Sequence, residues 1–120
     1  MSTIKFVVPT EPVPFKRTLS NGKRRFNDPR YSDYKYFVGL HARVAMNGQA
    51  PFDGAIKISV TVSTKYQPTS LKSGDIDNHL KAVLDALNGI CFTDDRQVIE
   101  GHVCLFKGEP QIEIQVEAIT

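Results

Sequence analysis

At 120 residues, 41% of them hydrophobic and 23% charged, the chain has room for one hydrophobic core, too little for two, and a composition that excludes wholesale disorder. No apolar run approaches the ~20 residues that span a bilayer, and the first residues lack a basic stretch followed by an apolar one, so the expectation is a cytoplasmic protein with no membrane partner. The net charge of +2 is small but unevenly spread. Residues 16–30 hold six bases (Lys16, Arg17, Lys23, Arg24, Arg25, Arg30) against Asp28, whereas residues 75–100 hold six acids (Asp75, Asp77, Asp85, Asp94, Asp95, Glu100) against Lys81 and Arg96. The first segment attracts a polyanion and the second repels one unless it carries cations, a conflict that hints at metal-dependent chemistry on nucleic acid.

In chain order, Ile4, Phe6 and Val8 alternate with Lys5 and Val7 as an opening strand ended by Pro9. Residues 10–30 are Pro-rich, basic and turn-rich, and read as a mobile arm; Asn21-Gly22 within them suits a tight hairpin turn because both residues tolerate positive φ. Ser32 is placed to cap a helix running to about Asn47-Gly48, with Tyr34, Phe37, Val38, Leu40, Val44 and Ala45 offering apolar contacts. Residues 55–63 form the clearest strand, Ile56, Ile58, Val60 and Val62 facing one way and Lys57, Ser59, Thr61 and Ser63 the other. After a loop over residues 64–74, a second helix is expected over 77–88. Residues 98–106 and 111–118 then read as strands of a hairpin turned at Gly108-Glu109-Pro110, the last with Ile112, Ile114, Val116 and Ala118 on one face. The order predicts a single α+β domain over residues 1–120: a mixed or mostly antiparallel four-stranded sheet, two main helices on one face, and a basic N-terminal arm.

The chemistry-bearing stretch is Asp75-Ile76-Asp77-Asn78-His79-Leu80-Lys81, continuing to Asp85 and Asn88, followed by Thr93-Asp94-Asp95-Arg96-Gln97. At ~100° per residue, Ile76, Leu80, Val83, Leu84 and Leu87 fall on one helical stripe and Asp77, Asn78, Lys81, Asp85 and Asn88 on its neighbour, so the polar set is presented beside the core. Asp75 and Asp77 lie two apart at the helix entrance, where extended backbone points both carboxylates one way. Magnesium takes oxygen ligands, usually one or two carboxylates with waters and phosphate oxygens, and Asp94-Asp95 offers a third carboxylate. Lys81, one turn beyond Asp77, is placed to touch a scissile phosphate or a metal-bound water. Blander roles exist for each residue. Asp77 suits a helix N-cap, Asp77–Lys81 and Lys81–Asp85 suit solvated ion pairs, and Asp94-Asp95 suits a turn.

Taken together, these pieces resemble the RusA family of Holliday-junction resolvases, small endonucleases of bacteria and their prophages. The resemblance rests on Asp75-Ile76-Asp77-Asn78, Lys81, Asp85-Ala86-Leu87 and Asp94-Asp95-Arg96-Gln97-Val98 in the family's order, and the overall layout is similar along nearly the whole chain. It implies that Asp75, Asp77 and Asp95 are the catalytic and metal-binding aspartates, Lys81 the essential lysine and Asn78 a supporting asparagine. Asp85 and Asp94 match recurrent positions whose role stays open between support of the ligands and structure. The residues just before Asp75, Lys72-Ser73-Gly74, are less basic than in the best-known member. The resemblance further implies Mg2+ as cofactor, with Mn2+ as a substitute, and a homodimer whose two subunits, supplying one active site each, make paired symmetric nicks in a four-way junction. It also implies that the basic arm grips junction DNA, with Lys16, Arg17, Arg24, Arg25 and Arg30 as contacts; a solubilising loop is the plainer reading of such a run.

Phe15 and Phe26, set among those cations, suit packing beneath the loop or a wedge at a branch point. His41, His79 and His102 are not spaced as a metal site, and the helical wheel turns His79 away from the aspartates toward solvent. Cys91 and Cys104 are too few for a disulfide framework and lack metal-ligand spacing, so both are expected as reduced thiols. Three rival functions stand beside the resolvase: a nuclease for other branched or single-stranded DNA, a non-catalytic DNA-binding module, and a small metal-binding or structural protein. Only the nucleases predict cleavage, and only the last predicts no salt-sensitive affinity for DNA.

Overall fold

The computed structural model describes residues 2–16 and 29–119. Their elements run β1 (Thr3–Val8), α1 (Pro29–Met46), β2 (Ile56–Thr64), α2 (Ile76–Leu87), β3 (Val98–Lys107) and β4 (Gln111–Ala118), with short 3-10 turns at Leu71–Ser73 and Asp95–Gln97. The centre of the expected basic arm, including Arg17, Arg24, Arg25 and Phe26, lies outside the described residues.

One mixed four-stranded sheet organises the chain in the order β1-β4-β2-β3. β4 runs antiparallel to both β1 and β2, and β3 runs parallel to β2 at the edge. The expected hairpin of the last two strands is therefore split. The connection at 108–110 carries the chain past the end of β2, where the Gly108 amide donates to the Thr64 carbonyl at 2.8 Å. A Cβ on Gly108 would sit 2.8 Å from the Ser63 hydroxyl, so a side chain there would block the crossing. Burial explains the insertion. Ile112, Ile114 and Val116 are all fully buried, which suits a central strand, whereas β3 carries Glu100, Gly101, His102 and Lys107 and is exposed along most of its length.

The apolar face of the sheet (Ile4 and Val8; Ile56, Ile58, Val60 and Val62; Ile112, Ile114 and Val116) forms one core with the helices. The opposite face is a polar ladder that includes Lys5–Glu113 at 2.9 Å and Lys57–Glu100 at 3.3 Å. α1 begins at Pro29, three residues before the expected cap at Ser32, because proline's fixed φ and missing N–H suit a first helical turn. It ends as expected at Asn47 and Gly48, both at positive φ. Its buried residues are Tyr34, Val38, Gly39, Ala42 and Met46. Leu40 and Val44, expected as packing residues, instead stay 41% and 79% exposed and align with Tyr36 at 70%, an uncovered apolar stripe.

α2 is also rotated from its expected orientation. It buries His79, Ala82, Val83, Ala86 and Leu87, leaves Leu80 and Leu84 half-buried, and exposes Ile76. The two helices approach at Gly39 of α1, where an added Cβ would lie 3.2 Å from the Ile90 side chain and 3.6 Å from the Ala86 carbonyl oxygen.

Candidate active site

α2 delivers the aspartates at its N-terminus. Asp75 is the N-cap residue, with extended φ −89° and ψ 149°, and its side chain makes no capping hydrogen bond. Asp77, in the first turn, accepts from the Asn78 backbone amide at 3.0 Å. Both side chains are exposed. The pair therefore sits at the positive end of the helix dipole, where two carboxylates are best tolerated. Among the described residues neither is consumed by a salt bridge or a buried network, and the N-cap position expected of Asp77 is taken by Asp75.

The segment leading into Asp75 is held by a buried polar network. His79 is only 1% exposed, which corrects the solvent-facing expectation: its Nε2 donates to the Ser73 carbonyl across the start of the helix. Burial lowers its pKa, outweighing the Ser73 hydrogen bond and the nearby Asp75. Its Nδ1 has no partner. Ser73 in turn donates its hydroxyl to the Gln67 carbonyl. Gly74, at φ +76° and ψ 170°, occupies a conformation open essentially to glycine, and a Cβ there would lie 2.7 Å from Pro14. The chain thus threads between Pro14 and His79 before releasing Asp75.

Lys81 is held from two sides. Its ammonium pairs with Asp85 at 3.0 Å and lies 5.2 Å from the centre of the Phe15 ring. The other Asp85 oxygen accepts from the Tyr31 hydroxyl at 2.8 Å, and Tyr31 stacks edge-on against Phe15, centroids 5.8 Å apart. The Phe15 amide donates to the Asn78 carbonyl at 3.0 Å. Burial, then the hydrogen bond to Asp85, pushes the Tyr31 hydroxyl well above its usual range, so it stays a donor. Asp85 thereby gains a definite role, holding Lys81 and joining α1 to α2. Neither Phe15 nor Tyr31 was expected at the site from sequence; an aromatic pair 16 residues apart carries no local pattern.

Asp95 is elsewhere. The Asn88 side-chain amide, just past the C-terminus of α2, donates to Asp95 at 3.3 Å. A 12-residue helix rising ~1.5 Å per residue separates that end from Asp75 by roughly 18 Å. The described residues contain no group of three or more His, Cys, Asp or Glu side chains able to hold a metal together. Asp75 and Asp77 share one end of α2; Asp95 does not join them within one chain. Asp94 is the structural member of its pair: it caps the Asp95–Gln97 turn and pairs with Arg96 at 3.0 Å, whose hydrogen bonds hold its carboxyl below the usual range. Gln97, given no role by the sequence, anchors this turn by accepting from Thr93 and Asp94 and donating to the Phe52 and Gly54 carbonyls, both at 2.9 Å. The signal was present as the Asp94-to-Gln97 capping-box spacing.

Residues 9–117 match the family described as endodeoxyribonuclease RusA. The chain belongs to the RusA family. It is also similar, at 32% identity over 143 aligned positions, to the uncharacterized protein YqaN of Bacillus subtilis (strain 168), an alignment that takes in 100% of this chain and 99% of that protein. RusA membership makes this a chain from a family of endodeoxyribonucleases, and the residues that carried the resemblance, Asp75 to Val98, all lie within the matched region. Among the described residues of this RusA-family protein, no helix is long and apolar enough to cross a membrane.

Proposed function

We propose that this protein is a magnesium-dependent endonuclease that resolves four-way DNA junctions by paired nicks, working as a homodimer in the cytoplasm of a bacterial host. The observation that carries the reading is the Asp75–Asp77 pair, exposed and uncommitted at the start of α2, with Lys81 held one turn further on. Two carboxylates with room for waters and phosphate oxygens fit the donor set magnesium takes. A magnesium ion bound there would lower the pKa of a water and stabilise charge on the leaving oxygen. Asp75 and Asp77 hold the cation and keep the site from binding phosphate unless one is present. Lys81, restrained by Asp85 and the Phe15 ring, presents its ammonium toward developing negative charge. Lys16 and Arg30, at the two ends of the basic arm, add phosphate contacts that position the backbone.

The homodimer supplies what one chain lacks. Asp95 stands at the far end of α2 from its expected partners, so the ligand set is completed by Asp95 of a second copy, and each site belongs to both subunits. The uncovered stripe of Tyr36, Leu40 and Val44 on α1 suits burial against such a copy. The separation of Asp95 equally favours a second reading, a branched-DNA-binding module with no catalytic metal. End-labelled four-way junction and matched linear duplex, each with magnesium and with EDTA, separate the two. The nuclease predicts paired magnesium-dependent nicks on the junction alone; tight junction binding without nicks under any divalent metal supports the binding module.

The Asp85 network yields a sharper expectation. Asp85→Ala releases Lys81 and strands the Tyr31 hydroxyl, so single-turnover cleavage is expected to slow by about 10- to 100-fold while junction affinity changes less than threefold. The unpaired hydroxyl should also cost ~1–3 kcal/mol of stability, read by denaturant melts. A wild-type cleavage rate in a folded Asp85→Ala protein would remove Asp85 from the mechanism.

A further inference from the structure

Beside the aspartates, the loop between β2 and α2 faces the N-terminal segment and the start of α1 across a cleft of about 860 Å³, large enough for a small organic ligand. Its lining sets an apolar, proline-rich wall of the N-terminal segment against basic and aromatic residues. Lys16, Arg30, Lys65 and Lys72 outnumber Glu11 and Asp33, and Tyr34, Phe37 and Tyr66 contribute rings. The buried Tyr34 hydroxyl has no partner among the described residues.

Tyr66 is the centre of this arrangement. Lys65 and Lys72 place their ammonium groups 5.4 Å and 5.6 Å from its ring centre. The backbone that carries the ring is fixed by Thr64: the Tyr66 amide donates to the Thr64 hydroxyl at 3.0 Å, and that hydroxyl donates back to the Tyr66 carbonyl at 3.1 Å. Thr64 and Ser73, the polar residues that pin the two ends of the loop, are each only 2% exposed. Leu71, by contrast, is fully exposed at 101% and buries nothing in this chain. A large aliphatic held out in water next to a cation-flanked ring is the combination proteins use to part stacked bases and then restack one on protein. Lys72 precedes Asp75 by three residues, so their Cα atoms lie at most about 11 Å apart.

We propose that this cleft takes up one unstacked nucleotide of the DNA substrate, with its base on the Tyr66 ring, its phosphates between Lys65 and Lys72, and Leu71 filling the gap left in the stack. The inference rests on the nuclease reading and deepens it, because a branch point offers such a nucleotide at low cost whereas continuous duplex must first be unstacked. The loop thus selects branched or single-stranded DNA by the availability of a free base face, independently of base identity.

The chain contains no tryptophan, so Tyr66→Trp creates a single fluorescent reporter at the platform. Titration in EDTA with a short oligothymidylate, with a four-way junction and with blunt linear duplex reads stacking without cleavage. Saturable quenching is expected with the first two and not with the duplex. Tyr66→Leu should bind oligothymidylate roughly 5- to 150-fold more weakly, the range for losing one stacked base. Leu71→Ser, at a fully exposed position, should weaken junction binding severalfold and leave oligothymidylate binding unchanged. Unquenched Tyr66→Trp at saturation overturns the proposal, as does a folded Tyr66→Leu that binds within twofold of wild type. If Tyr66→Leu fails to fold, the reporter and Leu71→Ser decide. Magnesium-dependent junction cleavage by wild type is scored in parallel. Quenching and affinity loss without any cleavage keep the platform and sink the nuclease, whereas cleavage with a silent platform does the reverse.

Discussion

Asp77→Asn is expected to lower junction cleavage by about 10²- to 10³-fold, the scale on which removal of one charge-stabilising group acts, while the protein still binds the junction. Asparagine keeps the shape of the side chain and the oxygen that accepts from the Asn78 amide, so the first turn of α2 is preserved. What it removes is a negative charge and a hard oxygen ligand. The side chain is exposed, so the change in stability should stay within ~1 kcal/mol, the contribution of an acidic group near a helix N-terminus. Affinity for DNA should hold or rise, because a charge that repels phosphate is gone. Asp75→Asn should behave alike, since its carboxylate takes no part in capping. Gel assays of cleavage and of binding on the same labelled junction read both effects. Cleavage within threefold of wild type in either variant would show that the exposed pair is helix decoration.

A mixture of two dead variants should regain activity. In the proposed homodimer, Asp77→Asn and Asp95→Asn would each remove a ligand from both sites. In a heterodimer of the two, a site built from one chain's Asp75–Asp77 and the other chain's Asp95 is intact at one location and doubly damaged at the other. Random co-folding should restore about a quarter of the sites, as single nicks and not paired cuts. No recovery, with heterodimers demonstrated by differently tagged chains, would mean that each subunit completes its own site. The expectation joins the proposed ligand role of Asp95 to its position: Asn88 ties Asp95 to one end of α2 and Asp75 caps the other.

Much of this protein was legible in its local patterns. Alternating β-branched residues placed β2 and β4, Asn47-Gly48 ended α1, and Asp75-Ile76-Asp77-Asn78 marked the start of α2. Those features depend on neighbours in sequence: strand alternation has period two, a helix repeats every 3.6 residues, and a C-cap needs one residue able to take positive φ. What failed were statements about which surface meets which. His79 points away from Asp77 on the wheel, yet the Leu71–Ser73 turn folds back to cover it and gives its Nε2 a carbonyl. Ile76 belongs to the apolar stripe by angle but stays 50% exposed at the first position of α2. The short turn at 108–110 reads as a hairpin in any local window; only competition for the buried position beside β2 sends β4 across to β1.

The site divides the same way. The sequence by itself determined the residue types and their order, since a pair of aspartates and a lysine one turn later are local features of a single helix. Tertiary structure alone decided that Asp85 is held by Tyr31, that Phe15 covers Lys81, that Lys65 and Lys72 flank one ring, and that Asp95 lies beside the C-terminal end of α2, away from Asp75 and Asp77. These are contacts between segments distant along the chain. Their energies depend on how the helices pack on the sheet, which no periodicity encodes.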